Sequence, residues 1–351
     1  MSTASHRSWR PGLRLAAALV AAVAAVPLAA CTSGPASGSA SSGSAGGELK
    51  PVSVQLGWLP NIESGSFVVA DEKGYYADEG LDMTILPGGP DVAIDAQVTS
   101  GKALVGLFST ESLANAVLNG APLVAVAAIY QYSSNGIVTL ADSGITTPKQ
   151  LEGHTIGLSA NDRTTVPFLT WLGVDMNTIN VVASDGTPTA LTSHQVDALV
   201  SPKGNAPVVL KTQGIDTNFM PVADYGYNRW SSVLVVRKDS LQDPEKLQEI
   251  KGIIAATQKG TQDMIDDPTA AGQIVYKVYG DQQGLTEDSQ VQGAAVWAQL
   301  IQQGKDLYGG RLMEVNEKGI ADEQSLLTNI LHVNLDANTL FDLSVAKDVL
   351  Q

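Results

Sequence analysis

Short apolar strands alternate with helical segments along most of this 351-residue chain, and this alternation limits the fold more than any other feature. The residue pattern predicts strands at 52–57, 81–86 and 123–129, with helices at 64–73 and 110–119 between them. Strands that alternate with helices usually pair in parallel and are covered by helices on both faces. The chain is therefore predicted to be an α/β protein.

The alternation restarts after Thr139 and becomes a mostly helical pattern beyond Asp239. Further strands are predicted at 155–158 and 198–200, and an apolar strand at 232–236. We therefore expect two α/β units followed by a helical tail, with boundaries near residues 140 and 230.

Composition excludes several functions. Lys and Arg total 21 against 36 Asp and Glu, a net charge of −15. This argues against binding nucleic acid, which needs cations to neutralise phosphates. The single cysteine and the four histidines, which show no ligand spacing, leave little material for a disulfide framework or a metal site. No nucleotide-binding fingerprint is present, so we predict no cofactor, no metal and no catalytic residue.

Residues 1–31 have the features of an export signal. Arg7, Arg10 and Arg14 form a positive start, and a short apolar run follows at 15–26. The run is shorter than the ~20 residues that a membrane span needs. The tetrad that ends in Cys31 resembles a bacterial lipoprotein box, in which the cysteine is lipidated. An ordinary signal peptide with a chance cysteine is the alternative.

Residues 32–49 form a predicted tether that is almost wholly Ser, Gly and Ala as far as Gly47. Such a segment buries too little apolar surface to offset its ordering entropy. The mature chain is thus expected on the outer face of the cytoplasmic membrane, held by lipid.

Four ordered segments carry a family resemblance. They are residues 54–92, GKALVGLFSTESL at 101–113, residues 120–159, and ADYGYNRWSSVLVVRKDSL at 223–241. Together they resemble ABC-importer solute-binding lipoproteins of the sulfonate/nitrate/taurine and thiamine-pyrimidine-synthase-like family. The resemblance is specific for the family and not for the solute.

The resemblance implies a type II periplasmic-binding-protein fold, with a ligand cleft between two α/β lobes and two crossover strands. Lobe 1 would comprise residues 50–139 and 231–351, and lobe 2 residues 140–230. It also implies three partners: a small solute, a membrane permease and a separate ATPase.

In open α/β sheets, ligands bind outside the carboxyl ends of the strands, so the loops there hold the candidate site residues. Aromatic rings at these ends suit a planar ligand, and free N–H groups at helix starts suit an anion or a carbonyl. Each candidate also has a purely structural alternative: packing in the core, capping a helix or being a solvated surface charge. The candidates are Trp58, Asn61, Ser109, Thr110, Glu111, Tyr130, Arg163, Thr164, Asn205, Tyr225 and Trp230, with Tyr227 as a further wall residue.

One loop departs from the family. Many relatives have Asn-Glu-Pro where this chain has Asn205-Ala206-Pro207, so Ala206 occupies the position of the acid. This weakens the case for an aminopyrimidine held in the usual way, and the nearby Lys203 would favour a ligand with negative character.

Three functions remain open. The first is a receptor that delivers a planar heterocycle, such as a thiamine-type pyrimidine or a flavin, to a permease. Its main alternative is the same receptor role for a sulfonate, nitrate or similar small anion. The second is an enzyme like the thiamine pyrimidine synthase, and the third is a surface sensor or adhesion lipoprotein.

If Cys31 carries the lipid, Cys31→Ala should move the protein from washed membranes into the soluble fraction, because no other predicted segment anchors the chain. Fractionation followed by immunoblotting measures this, with Ser33→Ala as the matched control that stays on membranes. Retention of Cys31→Ala in the membrane fraction would contradict the lipoprotein hypothesis.

Overall fold

Two five-stranded sheets organise the part of the chain that the computed structural model describes, residues 48–160 and 162–350. The predicted leader, Cys31 and nearly all of the tether lie outside these residues. The strands, in chain order, are β1 (Lys50–Gln55), β2 (Leu81–Leu86), β3 (Val105–Phe108), β4 (Leu123–Tyr130), β5 (Asn135–Leu140), β6 (Thr155–Leu158), β7 (Asn180–Ala183), β8 (Ala198–Pro202), β9 (Thr217–Pro221) and β10 (Ser231–Arg237).

Twelve α-helices accompany these strands in the described residues. They are α1 (Gly65–Glu72), α2 (Tyr75–Asp78), α3 (Ile94–Thr99), α4 (Thr110–Leu118), α5 (Thr165–Trp171), α6 (Thr189–Thr192), α7 (Ala206–Thr212), α8 (Pro244–Asp266), α9 (Pro268–Gln283), α10 (Glu287–Tyr308), α11 (Glu317–Asn329) and α12 (Leu343–Val349). No helix within the described ranges combines the length and apolar character needed to cross a bilayer.

The first sheet has the strand order β2-β1-β3-β10-β4, and the second has the order β7-β6-β8-β5-β9. Four of the eight strand pairs in the described residues are parallel, as the alternation predicts. The other four are antiparallel, because β10 runs antiparallel to β3 and β4, and β5 runs antiparallel to β8 and β9. The antiparallel strands are the first to follow each passage of the chain between sheets. We call the part built on each sheet the first lobe and the second lobe.

The chain passes between the sheets twice, between Tyr130 and Asn135 and again between Pro221 and Ser231. The boundary expected between residues 139 and 140 falls inside β5, whose partners both belong to the second sheet. The change of lobe therefore comes about five residues earlier than expected. Asn135-Gly136 is a turn signal at this passage, so the sequence does contain a local marker of the earlier boundary.

The helical tail completes the first lobe. α8 packs on α1, and Phe341 forms an isolated bridge with Ala125 of β4. All eight residues of β4 are buried, and α4, α10 and α12 pack against this strand. α11 also adds Leu326 and Ile330 to the apolar cluster of the second lobe, so the tail contacts both lobes.

The close packing of α8 on α1 requires a glycine. A Cβ added to Gly260 would lie 2.2 Å from the backbone oxygen of Ser66. We expect Gly260→Ala to lower the free energy of unfolding by about 1–3 kcal/mol, because the clash outweighs the helix preference of alanine, about 1 kcal/mol. Urea denaturation measures this change.

Gly252 of the same helix provides the matched control. Its added Cβ would meet the end of the flexible Leu81 side chain at 3.0 Å, so Gly252→Ala should change the free energy of unfolding by less than about 1 kcal/mol. Similar destabilisation by both substitutions would show that the backbone contact at Gly260 does not cause the loss of stability.

Candidate functional site

Polar side chains from both lobes meet where the chain passes between the sheets. We call this group the interlobe cluster; its members are Glu63, Glu111, Asn135, Asn205 and Arg229. Glu63 and Glu111 follow β1 and β3, whereas Asn135 begins β5 and Asn205 follows β8. The cluster therefore lies at the strand edge where α/β proteins bind ligands.

Arg229 joins the two lobes at this point. Its guanidinium donates to Glu111 Oε1 in the first lobe. The amide oxygen of Asn135, oriented by the hydrogen-bond network, accepts from Arg229 Nε at 3.1 Å and from Nη2. Burial lowers the pKa of Arg229 to about 10, which still leaves the side chain charged at neutral pH.

Glu111 is held at the start of α4. Ser109 caps this helix by accepting from Ser112 N, and the backbone N–H of Thr110 donates to the carbonyl of Trp230 at 3.3 Å. Glu111 is 5% exposed, and its second carboxylate oxygen, Oε2, has no hydrogen-bond partner among the described residues. A buried oxygen without a donor is a position where a ligand N–H would be stabilising.

Glu323 of α11 lies beneath the cluster and is fully buried. It accepts a hydrogen bond from Trp230 N at 3.0 Å through Oε1. Burial raises the pKa of Glu323 to about 8, and the positive charge of Arg229 only partly offsets this. The carboxyl group is therefore mostly protonated at neutral pH.

Glu63 and Asn205 make the direct contact across the cleft. Asn205 Nδ2 donates to Glu63 Oε2 at 3.3 Å. The backbone of Glu63 is fixed from two sides: its N–H donates to Asn61 Oδ1 at 2.7 Å, and its carbonyl accepts from Tyr130 Oη at 2.8 Å. Desolvation raises the pKa of Glu63.

A close approach beside this contact depends on Gly204. A Cβ at Gly204 would lie 2.4 Å from Trp297 Nε1 of α10, and one at Gly293 would lie 3.0 Å from the Gly204 carbonyl oxygen. Trp297 is fully buried, and its ring packs against Tyr130 at a centroid distance of 4.6 Å. The second-lobe loop thus fits against a first-lobe surface that has room only for glycine.

Residues 61–271, more than half of the chain, match the family described as NMT1/THI5 like. The chain belongs to the NMT1/THI5-like family.

Two curated relatives of this NMT1/THI5-like chain are binding proteins by name. The formylaminopyrimidine-binding protein of Halalkalibacterium halodurans is 26% identical over 229 residues, which cover 64% of this chain and 69% of that protein. The riboflavin-binding protein RibY of Chloroflexus aurantiacus is 24% identical over 231 residues, which cover 64% and 65%.

A solved structure shares the fold. The ligand-binding component of an ABC-type import system from Staphylococcus aureus is 14% identical, with a TM-score of 0.63, and the match covers 86% of this chain and 99% of that one. The predicted two-lobed α/β fold of solute-binding proteins is thereby confirmed.

The structure places four first-lobe candidates at predicted positions near strand ends and gives a fifth, Asn61, a structural role. Trp58 is half-buried at the carboxyl edge of β1, and its carbonyl accepts from Gly88 N at 3.0 Å. Ser109, Thr110 and Glu111 lie at the start of α4, as predicted. Asn61 has the turn-stabilising role that was its alternative, because its side chain caps the turn over Ile62–Ser64.

Two aromatic candidates are corrected by their burial. Tyr130 is fully buried against Trp297, and Trp230 is fully buried between Tyr308 and Phe341. The prediction that these rings form exposed cleft walls is wrong for this structure, since residues of the helical tail enclose both of them. Tyr227 is likewise buried, against Phe168.

The remaining second-lobe candidates lie mostly outside the cluster. Arg163 is exposed, and Tyr225 is half-buried beside the apolar cluster of the second lobe. The start of α5 is capped by Asp162, which accepts from Thr164 N and Thr165 N at 2.9 Å each, rather than by a threonine hydroxyl as expected. Asn205 is the second-lobe candidate that reaches the interlobe cluster.

Sequence reasoning missed five residues at the site: Glu63, Asn135, Arg229, Trp297 and Glu323. Glu63 and Arg229 lie inside the segments that carry the family resemblance. The available signals were the position of Arg229 directly before the candidate Trp230 and the position of Glu63 two residues after the candidate Asn61. Trp297 and Glu323 lie in the helical tail, where nothing in the local pattern points to the cleft.

The raised pKa of Glu323 predicts a pH effect on stability. Between about pH 5 and 8 the folded protein keeps this carboxyl protonated while the unfolded chain ionises it, so the folded state binds more protons. This group therefore lowers the free energy of unfolding as pH rises through that window, by at most about 1.4 kcal/mol per pH unit. Glu323→Gln should flatten the fall in melting temperature from pH 5.5 to 8.

The exposed neighbour Asp322 supplies the control, because Asp322→Asn removes a nearby charge without touching the buried carboxyl. This variant should keep a slope close to that of the wild type. An unchanged slope in Glu323→Gln would rule out the assignment of the pH dependence to Glu323.

Proposed function

We propose that this protein captures a small planar heterocycle between its two lobes, as the extracytoplasmic solute-binding component of an ABC importer. The observation that carries the proposal is the interlobe cluster, in which residues of both lobes converge at the carboxyl ends of the strands. A ligand that contacts both sides of such a cleft selects the closed arrangement.

Trp58 supports the planar class of solute. Its half-buried ring follows β1, on the same strand end as Glu63. An indole offers a flat apolar face for stacking, and the polar groups of the cluster would then fix the orientation of the ring. Both curated relatives are named for heterocycles, a formylaminopyrimidine and riboflavin, and as binding proteins rather than enzymes.

The remaining parts of the proposal follow from the sequence. Lipidation at Cys31 would hold the protein on the outer face of the cytoplasmic membrane, and the tether would let residues 48–350 reach a permease that is driven by a separate ATPase. In the proposed division into lobes, residues 231–350 belong to the first lobe.

Thermal-shift measurements test the solute class. At 100 times its dissociation constant, a ligand adds about 2.7 kcal/mol to the free energy of unfolding. Riboflavin or a 4-aminopyrimidine should raise the melting temperature, and Trp58→Ala should weaken binding by about 1–3 kcal/mol through the loss of stacked area.

Trp171→Ala is the matched control, because Trp171 is an exposed tryptophan at the end of α5 and is not a member of the interlobe cluster. It should leave binding unchanged. Stabilisation by ethanesulfonate or nitrate, without any response to heterocycles, would show that the solute is a small anion. The proposed receptor role would then stand with a different solute.

A further inference from the structure

The interlobe cluster has an excess of acid. Glu63, Glu111 and the underlying Glu323 surround a single cation, Arg229, among the described residues of the cluster. Arg229 is committed to Glu111 and Asn135, and burial keeps Glu323 protonated at neutral pH. Glu63 is thus the acid of the cluster without a cation of its own.

Glu63 has spare capacity to accept hydrogen bonds. The one side-chain hydrogen bond it accepts from the described residues comes from Asn205 and ends on Oε2 at 3.3 Å, and none of the described cations lies within 4 Å of its carboxylate. Oε1 is left free to accept from something else. A carboxylate can accept about four hydrogen bonds, so a single amide leaves it poorly satisfied.

A second observation points to a donor-bearing ligand at the same place. Glu111 is only 5% exposed, and its Oε2 lacks any hydrogen-bond partner among the described residues. Two carboxylates from one lobe therefore present free acceptor oxygens around Arg229. Leaving such an acceptor unpaired costs about 1–3 kcal/mol, which a ligand N–H would relieve.

The two basic residues that the sequence offered for an anion do not serve this cluster. Arg163 and Lys203 are both exposed, and neither forms an ion pair with a described residue. An anionic solute would thus meet unpaired carboxylate oxygens without a free guanidinium or ammonium group to compensate them.

We propose, building on the function proposed above, that Glu63 is the residue that determines solute specificity: its carboxylate accepts a hydrogen bond from an amino group of the heterocycle and repels small anions. Asn205 positions this carboxylate from the opposite lobe. Recognition of the amino group is therefore coupled to closure, because the groups that form the pocket come from both sides of the cleft.

A matched pair of probes tests the proposal. 4-Amino-2-methylpyrimidine and 2,4-dimethylpyrimidine differ in a single amino group that is replaced by methyl. Hydrogen bonds to charged groups contribute about 1.5–3 kcal/mol, so the wild type should bind the amino probe about 10- to 100-fold more tightly by calorimetry at pH 8. Glu63→Gln should reduce this preference to about threefold or less.

Two further variants separate recognition from folding. Glu72→Gln removes an exposed carboxylate of α1 that pairs with Lys277, and it should keep the full preference. Asn205→Ala should reduce the preference in the same direction as Glu63→Gln, even if one of the two variants folds poorly. The melting temperatures of all variants show which measurements refer to folded protein.

The outcomes distinguish the two proposals. If the wild type binds both probes equally, or if folded Glu63→Gln keeps the full preference, the role of Glu63 is overturned and the capture of heterocycles stands. If the wild type binds neither probe but binds ethanesulfonate, the role of Glu63 and the heterocycle class of solute are both overturned, and only the receptor role stands.

Discussion

The contact on which the site depends is the hydrogen-bonded ion pair between Arg229 and Glu111, extended to Asn135 of the other lobe. A guanidinium keeps its proton when buried, so it has to be paired with acceptors. Desolvation makes buried ion pairs weak sources of stability, whereas removing one partner costs about 3–5 kcal/mol. The main effect of the pair is therefore to position the chain. It holds the second passage of the chain between the lobes, which contains Arg229, next to Asn135 at the end of the first passage.

That fixed point determines what lies around it. Trp230 follows Arg229 directly, and its ring fits against Gly319, where an added Cβ would lie 2.3 Å from the indole. β10 then enters the first sheet between β3 and β4. The first lobe is therefore complete only after the chain has built the second lobe and returned, which couples the two lobes through long-range contacts.

The sequence predicts elements whose signals are local. β2 and β6 match their predicted bounds, and α4 begins at the predicted residue, because the signals for these elements lie within a few residues of them. β9 (Thr217–Pro221) was missed because it has no alternation and ends in proline, so pairing with β5 alone defines it. The aromatic candidates show the same limit. Tyr130 and Trp230 end or precede strands as expected, but residues more than 70 positions away decide that they are buried.

The direct contact between Glu63 and Asn205 is weak, and this bears on how a solute would act. Asn205 and Glu63 share a single hydrogen bond at 3.3 Å, and Gly204 fits beside Trp297 without adding a side chain to the interface. One hydrogen bond to a charged group contributes about 1.5–3 kcal/mol, whereas shifting a two-state equilibrium from 1:99 to 99:1 takes about 5.5 kcal/mol of differential binding. The hydrogen bond between Asn205 and Glu63 is therefore smaller than the differential binding that such a shift needs. A solute that satisfies the free oxygens of Glu63 and Glu111 would add to this contact, so the interactions that identify the solute would also favour closure of the lobes around it.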